Sequence, residues 1–343
     1  MAPNIWLKLE NLQPSGSFKS RGIGNMMFRA ASSSSSSSSP RRFYCSSGGN
    51  AGLACITAAN ALNLPATIVV PTSTAPIMVT KLRDLGAEVH QVGASWAEAD
   101  AHLRDVVMAS DPDGVYVPPF DHPDIWTGAA TLIDELVVQM DVPVHGIVCS
   151  VGGGGLLNGV MHGIEATPWP AGQKPSVLAV ETEGAASLNE CVKTGNHATL
   201  DAITSIATSL GARKVSEKTY EWLQSEILHC ITVKDWEAAM SCVRFADDAR
   251  FVVEVSCGAT IAPAYFAGSD GENRLRKAFE KPGLPWDEHN VVLVVCGGSS
   301  VSLDVLDKYR NEYGHLAAAA TATTKKTTNG VNGVAAKAAV NGV

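Results

Sequence analysis

Short apolar, β-branched runs alternate along this chain with helix-length segments. Ala66-Thr67-Ile68-Val69-Val70 is followed by Ile77 to Leu85, then by Ala87 to Val92, then by a segment from Trp96 to Met108 that the pattern predicts as helix. The rhythm returns at Gly146 to Val151, Val177 to Glu181 and Val291 to Cys296, each an apolar run that ends near glycine or a polar turn and leads into a helical pattern. This βαβ alternation predicts an α/β fold with buried parallel strands. Ligands in open α/β sheets sit beyond the carboxyl ends of the strands, which directs attention to the loops after Cys45, Val151 and Val295.

Composition narrows the class. The 343 residues are 45% apolar, enough to fill the cores of about two domains. Met1 to Trp6 lacks the basic start and apolar run of a signal peptide, and no stretch approaches bilayer-spanning length, so the cytoplasm is the expected compartment. The cysteines at 45, 55, 149, 191, 230, 242, 257 and 296 contain no C-x-x-C spacing, which predicts reduced thiols, mostly in cores, with neither a zinc site nor a disulfide framework. A net charge of −8, and no basic cluster larger than Arg41-Arg42, argue against a nucleic-acid partner. Ser32 to Ser39, closed by Pro40, predicts a mobile surface loop, and the Ala, Thr, Lys, Asn, Gly and Val composition from Leu316 onward predicts a disordered tail over 316–343.

Four segments carry candidate chemistry. In Gln13-Pro14-Ser15-Gly16-Ser17-Phe18-Lys19 a short strand breaks and a helix is expected near Ser17. Lys19 then sits in a first helical turn, where the helix dipole and burial both work against its charge. Such an amine can form a Schiff base with an aldehyde cofactor; taken alone, a lysine there is more commonly a solvated surface residue. In Cys45-Ser46-Ser47-Gly48-Gly49-Asn50-Ala51-Gly52 a strand turns into a helix and offers amides to an anion, a substrate carboxylate being one candidate and a plain Asn-capped turn the alternative. Gly152-Gly153-Gly154-Gly155 follow a buried strand and open a helix. They match neither G-x-G-x-x-G, since Leu157 stands in the last place, nor a P-loop, and adjacent amides there suit a phosphate. Cys296, before Gly297-Gly298, is a thiol at a strand end, and its bland reading is a core cysteine.

In this order the segments resemble the fold-type-II pyridoxal-phosphate family, nearest its eukaryotic L-serine dehydratase branch, over Trp6 to Tyr309. The resemblance implies two open, twisted, mostly parallel sheets flanked by helices. Residues 1–21 with 119–315 would form a large cofactor domain, and 22–118 a small inserted one. It implies pyridoxal 5'-phosphate held by Lys19, with Phe18 against the ring, Asn50 on the phenolic oxygen, Gly152, Gly153, Gly154 and Gly155 on the phosphate, and Cys296 at the ring nitrogen. Ser47, Gly48, Gly49 and Ala51 would face the substrate, a small amino acid. A monovalent cation such as potassium would take Glu181, Ala185, Ser187 and the carbonyls of Gly152, Leu210 and Ala212.

The implied reaction removes water and then ammonia from L-serine, giving pyruvate, with L-threonine giving 2-oxobutanoate, in a homodimer. A neutral thiol at the ring nitrogen leaves a weaker electron sink than a carboxylate would, which favours elimination over transamination. Alternatives within the fold are a threonine deaminase, a serine racemase or a β-replacing synthase; outside enzymes, an inactive truncated relative. The chain departs from the family pattern in lacking a segment ahead of Trp6, in Gly48 where relatives carry Ala or Ser, in Val255-Ser256 for Pro-Ala after Glu254, and in the serine run. Gly48 lacks the hydroxyl a racemase would use on the face opposite Lys19.

Overall fold

A computed structural model describes residues 2–33, 40–268 and 270–327. Its nine strands are β1 (Asn4–Lys8), β2 (Phe43–Cys45), β3 (Ala66–Val70), β4 (Glu88–Gln91), β5 (Val115–Tyr116), β6 (Gly146–Ser150), β7 (Ser176–Thr182), β8 (Leu228–Val233) and β9 (Asn290–Val294). The strands form two sheets, β1-β9-β6-β7-β8 and β4-β3-β2-β5, with every strand pairing parallel. Central β6 and β9 are buried at every position, which is why they read as unbroken apolar runs.

The α-helices are α1 (Lys19–Ser32), α2 (Asn50–Leu62), α3 (Pro76–Asp84), α4 (Trp96–His102), α5 (Pro123–Gln139), α6 (Gly155–Ala166), α7 (Ser187–Thr194), α8 (Glu217–Glu221), α9 (Asp235–Ala249), α10 (Val255–Tyr265), α11 (Arg274–Phe279) and α12 (Leu303–Thr327). Separate apolar clusters fill the two sheets' surroundings, and α5 serves both, giving Ile125 to the smaller and Leu132, Ile133 and Leu136 to the larger. No described helix is long and apolar enough to cross a membrane.

Two local expectations change. The helix expected over 96–108 is α-helical only to His102 and widens into a π turn over Leu103–Val107, with Ala99 and Leu103 both packed against Tyr44 and Val69. The disordered tail expected from Leu316 begins as helix instead, since α12 runs unbroken to Thr327 and buries Ala317. The physical reason lies in spacing: Leu306, Tyr309, Tyr313, Ala317 and Ala320 recur every three or four residues and pack on the large core. The alanines continue a stripe that the larger residues begin. The rest of the tail, 328–343, and the serine loop at 34–39 lie outside the described residues.

Candidate active site

The carboxyl ends of β2, β6 and β9 meet the start of α1 around a cavity of about 920 Å³. Lys19 is the first residue of α1, and the turn before it is tied to the Cys296 loop: Phe18 N donates to Cys296 O at 3.1 Å, and Ser17 forms a backbone bridge to Gly297. Behind it, Arg21 is clamped between Glu10 and Glu135, the Glu10 contact using Nε and Nη2 at 2.7 and 2.8 Å. That clamp fixes the rotation of α1 and therefore the direction of Lys19. The Lys19 Nζ donates to Pro119 O at 2.7 Å and lies 5.1 Å from the centre of the Phe18 ring. Burial of the ammonium lowers its pKa to about 8, partly opposed by Cys45, Glu254 and Cys296.

The turn after β2 is held from behind, where Ser46 Oγ and Tyr116 OH each donate to Asp100 at 2.6 Å. Ser47, Gly49, Asn50 and Ala51 then line the cavity; Gly48 does not. A Cβ on Gly48 would meet Thr74 Cγ2 at 2.7 Å and Val70 Cγ1 at 3.2 Å, so this position faces the small sheet's own loop. Gly48, expected to face the substrate, is therefore off the cavity wall, and a side chain added there would run towards Thr74 and Val70.

All four glycines at 152–155 line the cavity at the start of α6. Gly154 has φ +98°, and a Cβ there would overlap Thr219 Oγ1. The loop is thus pressed against α8 and fixed through Asn158, Ser216 and Thr219, with Ser216 N donating to Gly153 O at 3.0 Å. Cys296, buried, lines the cavity 3.6 Å from Ser150 Oγ.

Of the residues assigned to a cation, Gly152, Leu210 and Ala212 line the cavity, whereas Glu181, Ala185 and Ser187 lie off its wall and are fully or almost fully buried. Glu181 is not a strand-end carboxylate in water. It receives Leu188 N at 2.8 Å and Asn189 N at 2.7 Å from the first turn of α7, and burial raises it to about 7 against those hydrogen bonds. Ser187 Oγ is buried with no hydrogen-bond partner.

Sequence reasoning passed over Glu254. It is 2% exposed, lines the cavity, and accepts from Asn50 Nδ2 at 2.9 Å. Its signal was available: a single acid in Phe251-Val252-Val253-Glu254-Val255 must find polar partners once buried.

The model of the pyridoxal-phosphate-dependent enzymes matches residues 1–297. The chain belongs to that family. Within it, this pyridoxal-phosphate enzyme is 40% identical to the human protein described as serine dehydratase-like, over 91% of this chain and 90% of that protein. It is 39% identical to the catabolic L-serine/threonine dehydratase of Saccharomyces cerevisiae, over 89% and 85%. The crystal structure of a fungal L-serine ammonia-lyase from Rhizomucor miehei superposes with a TM-score of 0.79 at 36% identity, covering 90% and 93%. The residues present fit the family's cofactor: a desolvated amine for an aldehyde, a glycine cradle at a helix start for a phosphate, and an apolar ring beside the amine.

Proposed function

We propose that this enzyme eliminates water and then ammonia from L-serine, and from L-threonine, with Lys19 as the cofactor-binding residue. The observation that carries the reading is the Lys19 amine, held at about pKa 8 in one cavity with the Asn50 turn and the tetraglycine loop. The relatives described as serine and threonine dehydratases, aligned over most of both chains, support the same chemistry.

Bound here, pyridoxal 5'-phosphate supplies an electron sink that acidifies the α-hydrogen of an amino acid. Gly152 to Gly155 would hold its phosphate, Asn50 its phenolic oxygen and Cys296 its ring nitrogen, with Phe18 against the ring. Lys19 would take the Cα proton of the substrate, and a pKa near 8 leaves a usable fraction of free amine near neutral pH. Ser47, Gly49 and Ala51 bind the substrate carboxylate at the start of α2. A thiol such as Cys296 at the ring nitrogen, in place of a carboxylate, would favour elimination over transamination.

Potassium belongs to the proposal through Glu181 and Ser187, since a buried carboxylate and a buried hydroxyl without a hydrogen-bond partner both suit a cation. The chain division that goes with it is 1–21 and 119–315 for the cofactor domain and 22–118 for the inserted one, supported by the small sheet's lying wholly within the second. A cytoplasmic homodimer fits the eight free thiols and the exposed Leu12, Ile77 and Val138 side chains. The deciding experiment is pyruvate release from L-serine by the purified, cofactor-loaded chain, with borohydride reduction and peptide mapping. A pyridoxyl label on another lysine, or no pyruvate, defeats the reading.

A further inference from the structure

Asn50 is the first residue of α2, on the small sheet's side of the cavity, and both ends of its amide are engaged by the other side. Ser299 N donates to its Oδ1 at 3.0 Å, and its Nδ2 donates to Glu254 Oε1 at 2.9 Å. An asparagine amide has two N–H donors, so one remains for the cavity that Asn50 lines. Turning the amide over would set Oδ1 against a carboxylate and Nδ2 against an N–H. The two contacts therefore enforce one orientation.

We infer that Glu254 is a positioning residue that acts through Asn50, locking its free N–H towards an anionic oxygen of the bound cofactor; this rests on the function proposed above. Glu254 is itself firmly seated. Ser300 N donates to its Oε2 at 3.3 Å. Gly298, at φ +110°, leaves the space its carboxyl fills, since a Cβ there would overlap that carboxyl. The Lys19 ammonium favours the ionised form, against the burial that raises its pKa.

Glutamine has the same shape but one acceptor oxygen, and its amide nitrogen cannot accept, so it cannot serve Asn50 Nδ2 on one side and Ser300 N on the other. The test is a double-mutant cycle on the full-length chain titrated with pyridoxal 5'-phosphate, reading its dissociation constant and the pH midpoint of the visible band. Glu254→Gln is expected to weaken binding about tenfold, as for loss of one charge-assisted hydrogen bond. Asn50→Ala should do at least as much, and adding Glu254→Gln to it should not raise the dissociation constant further, while the pH midpoint still moves by the part that Glu254's charge imposes directly on Lys19. Multiplying losses in the double variant overturn the inference, because Glu254 would then act independently of Asn50. Should Glu254→Gln not fold, Glu254→Asp, which withdraws the carboxyl by one methylene, carries the same expectation, and unchanged affinity in it overturns the inference. Failure of the unsubstituted chain to bind the cofactor through a lysine is a separate outcome that removes the proposed function and this inference with it.

Discussion

The Lys19 ammonium donates a 2.7 Å hydrogen bond to the main-chain carbonyl of Pro119, at the entrance to α5 and 100 positions further along the chain. A carbonyl satisfies one proton of an ammonium without neutralising its charge, and burial is the dominant influence on its pKa. The folded pKa of about 8 lies below the unfolded value of 10.5, so the folded chain binds fewer protons between them. Stability of the cofactor-free chain should therefore rise from pH 8 to 10.5. Lys19→Met should remove that rise and stabilise the cofactor-free chain at pH 7 by about 1–2 kcal/mol, discounted because part of the side chain meets cavity water. Denaturant titrations of both chains across this range check the sign. Cofactor loading should also accelerate up to pH 8 and level off above it, since only the free amine attacks an aldehyde.

Glu135 provides the opposite case. Hydrogen bonding to Arg21, then to Lys8, holds it down to about 2, despite a side chain 43% exposed. A depressed carboxylate stabilises above its unfolded pKa near 4.5, and that contribution is lost as pH falls towards 2. Exposure limits it to about 1 kcal/mol. Glu135→Gln should flatten acid unfolding over this window and loosen the clamp on Arg21, read as a higher dissociation constant for the cofactor.

The proposed cation site should be pH-dependent through Glu181. A carboxyl raised to about 7 must lose its proton before it can hold potassium, so proton and cation compete. Potassium should raise the melting temperature more at pH 8 than at pH 6, and tetramethylammonium at equal ionic strength should do neither. Glu181→Gln should abolish the difference. Equal melting in both salts at pH 8 removes the cation from the proposed site.

Gly48→Ser should cost stability without adding racemase activity. The new Cβ runs into Thr74 and Val70, an overpacking expected to cost about 1–3 kcal/mol. Thr74→Ala should recover much of the loss. Chiral chromatography of residual serine, beside thermal melts, reads both effects, and rapid D-serine formation by Gly48→Ser would show that the side chain reaches the cavity after all.

Truncation before Leu316 removes Ala317 and Ala320 from the large core and shortens α12. The expected loss is about 1–2 kcal/mol, or roughly 2–5 °C in melting temperature. An unchanged melting temperature would show that the last turns of α12 contribute nothing.

Much of this protein was legible along the chain because its signals are local. The apolar runs of β3, β6, β7 and β9, the breaks after them and the glycine-rich helix starts each occupy a few consecutive residues, and their order gave the α/β class and the Lys19, Asn50 and tetraglycine elements. Tertiary structure decided what depends on approach between distant segments. Glu254 reaches Asn50 across 204 positions, and no periodicity records such a pairing. Which way Gly48 faces is set by where Thr74 packs, and whether Glu181 meets water is set by α7 folding back over it. The alanines of α12 were misread because a methyl side chain marks a face only weakly, until Leu306, Tyr309 and Tyr313 are seen docked on the core beneath the same stripe.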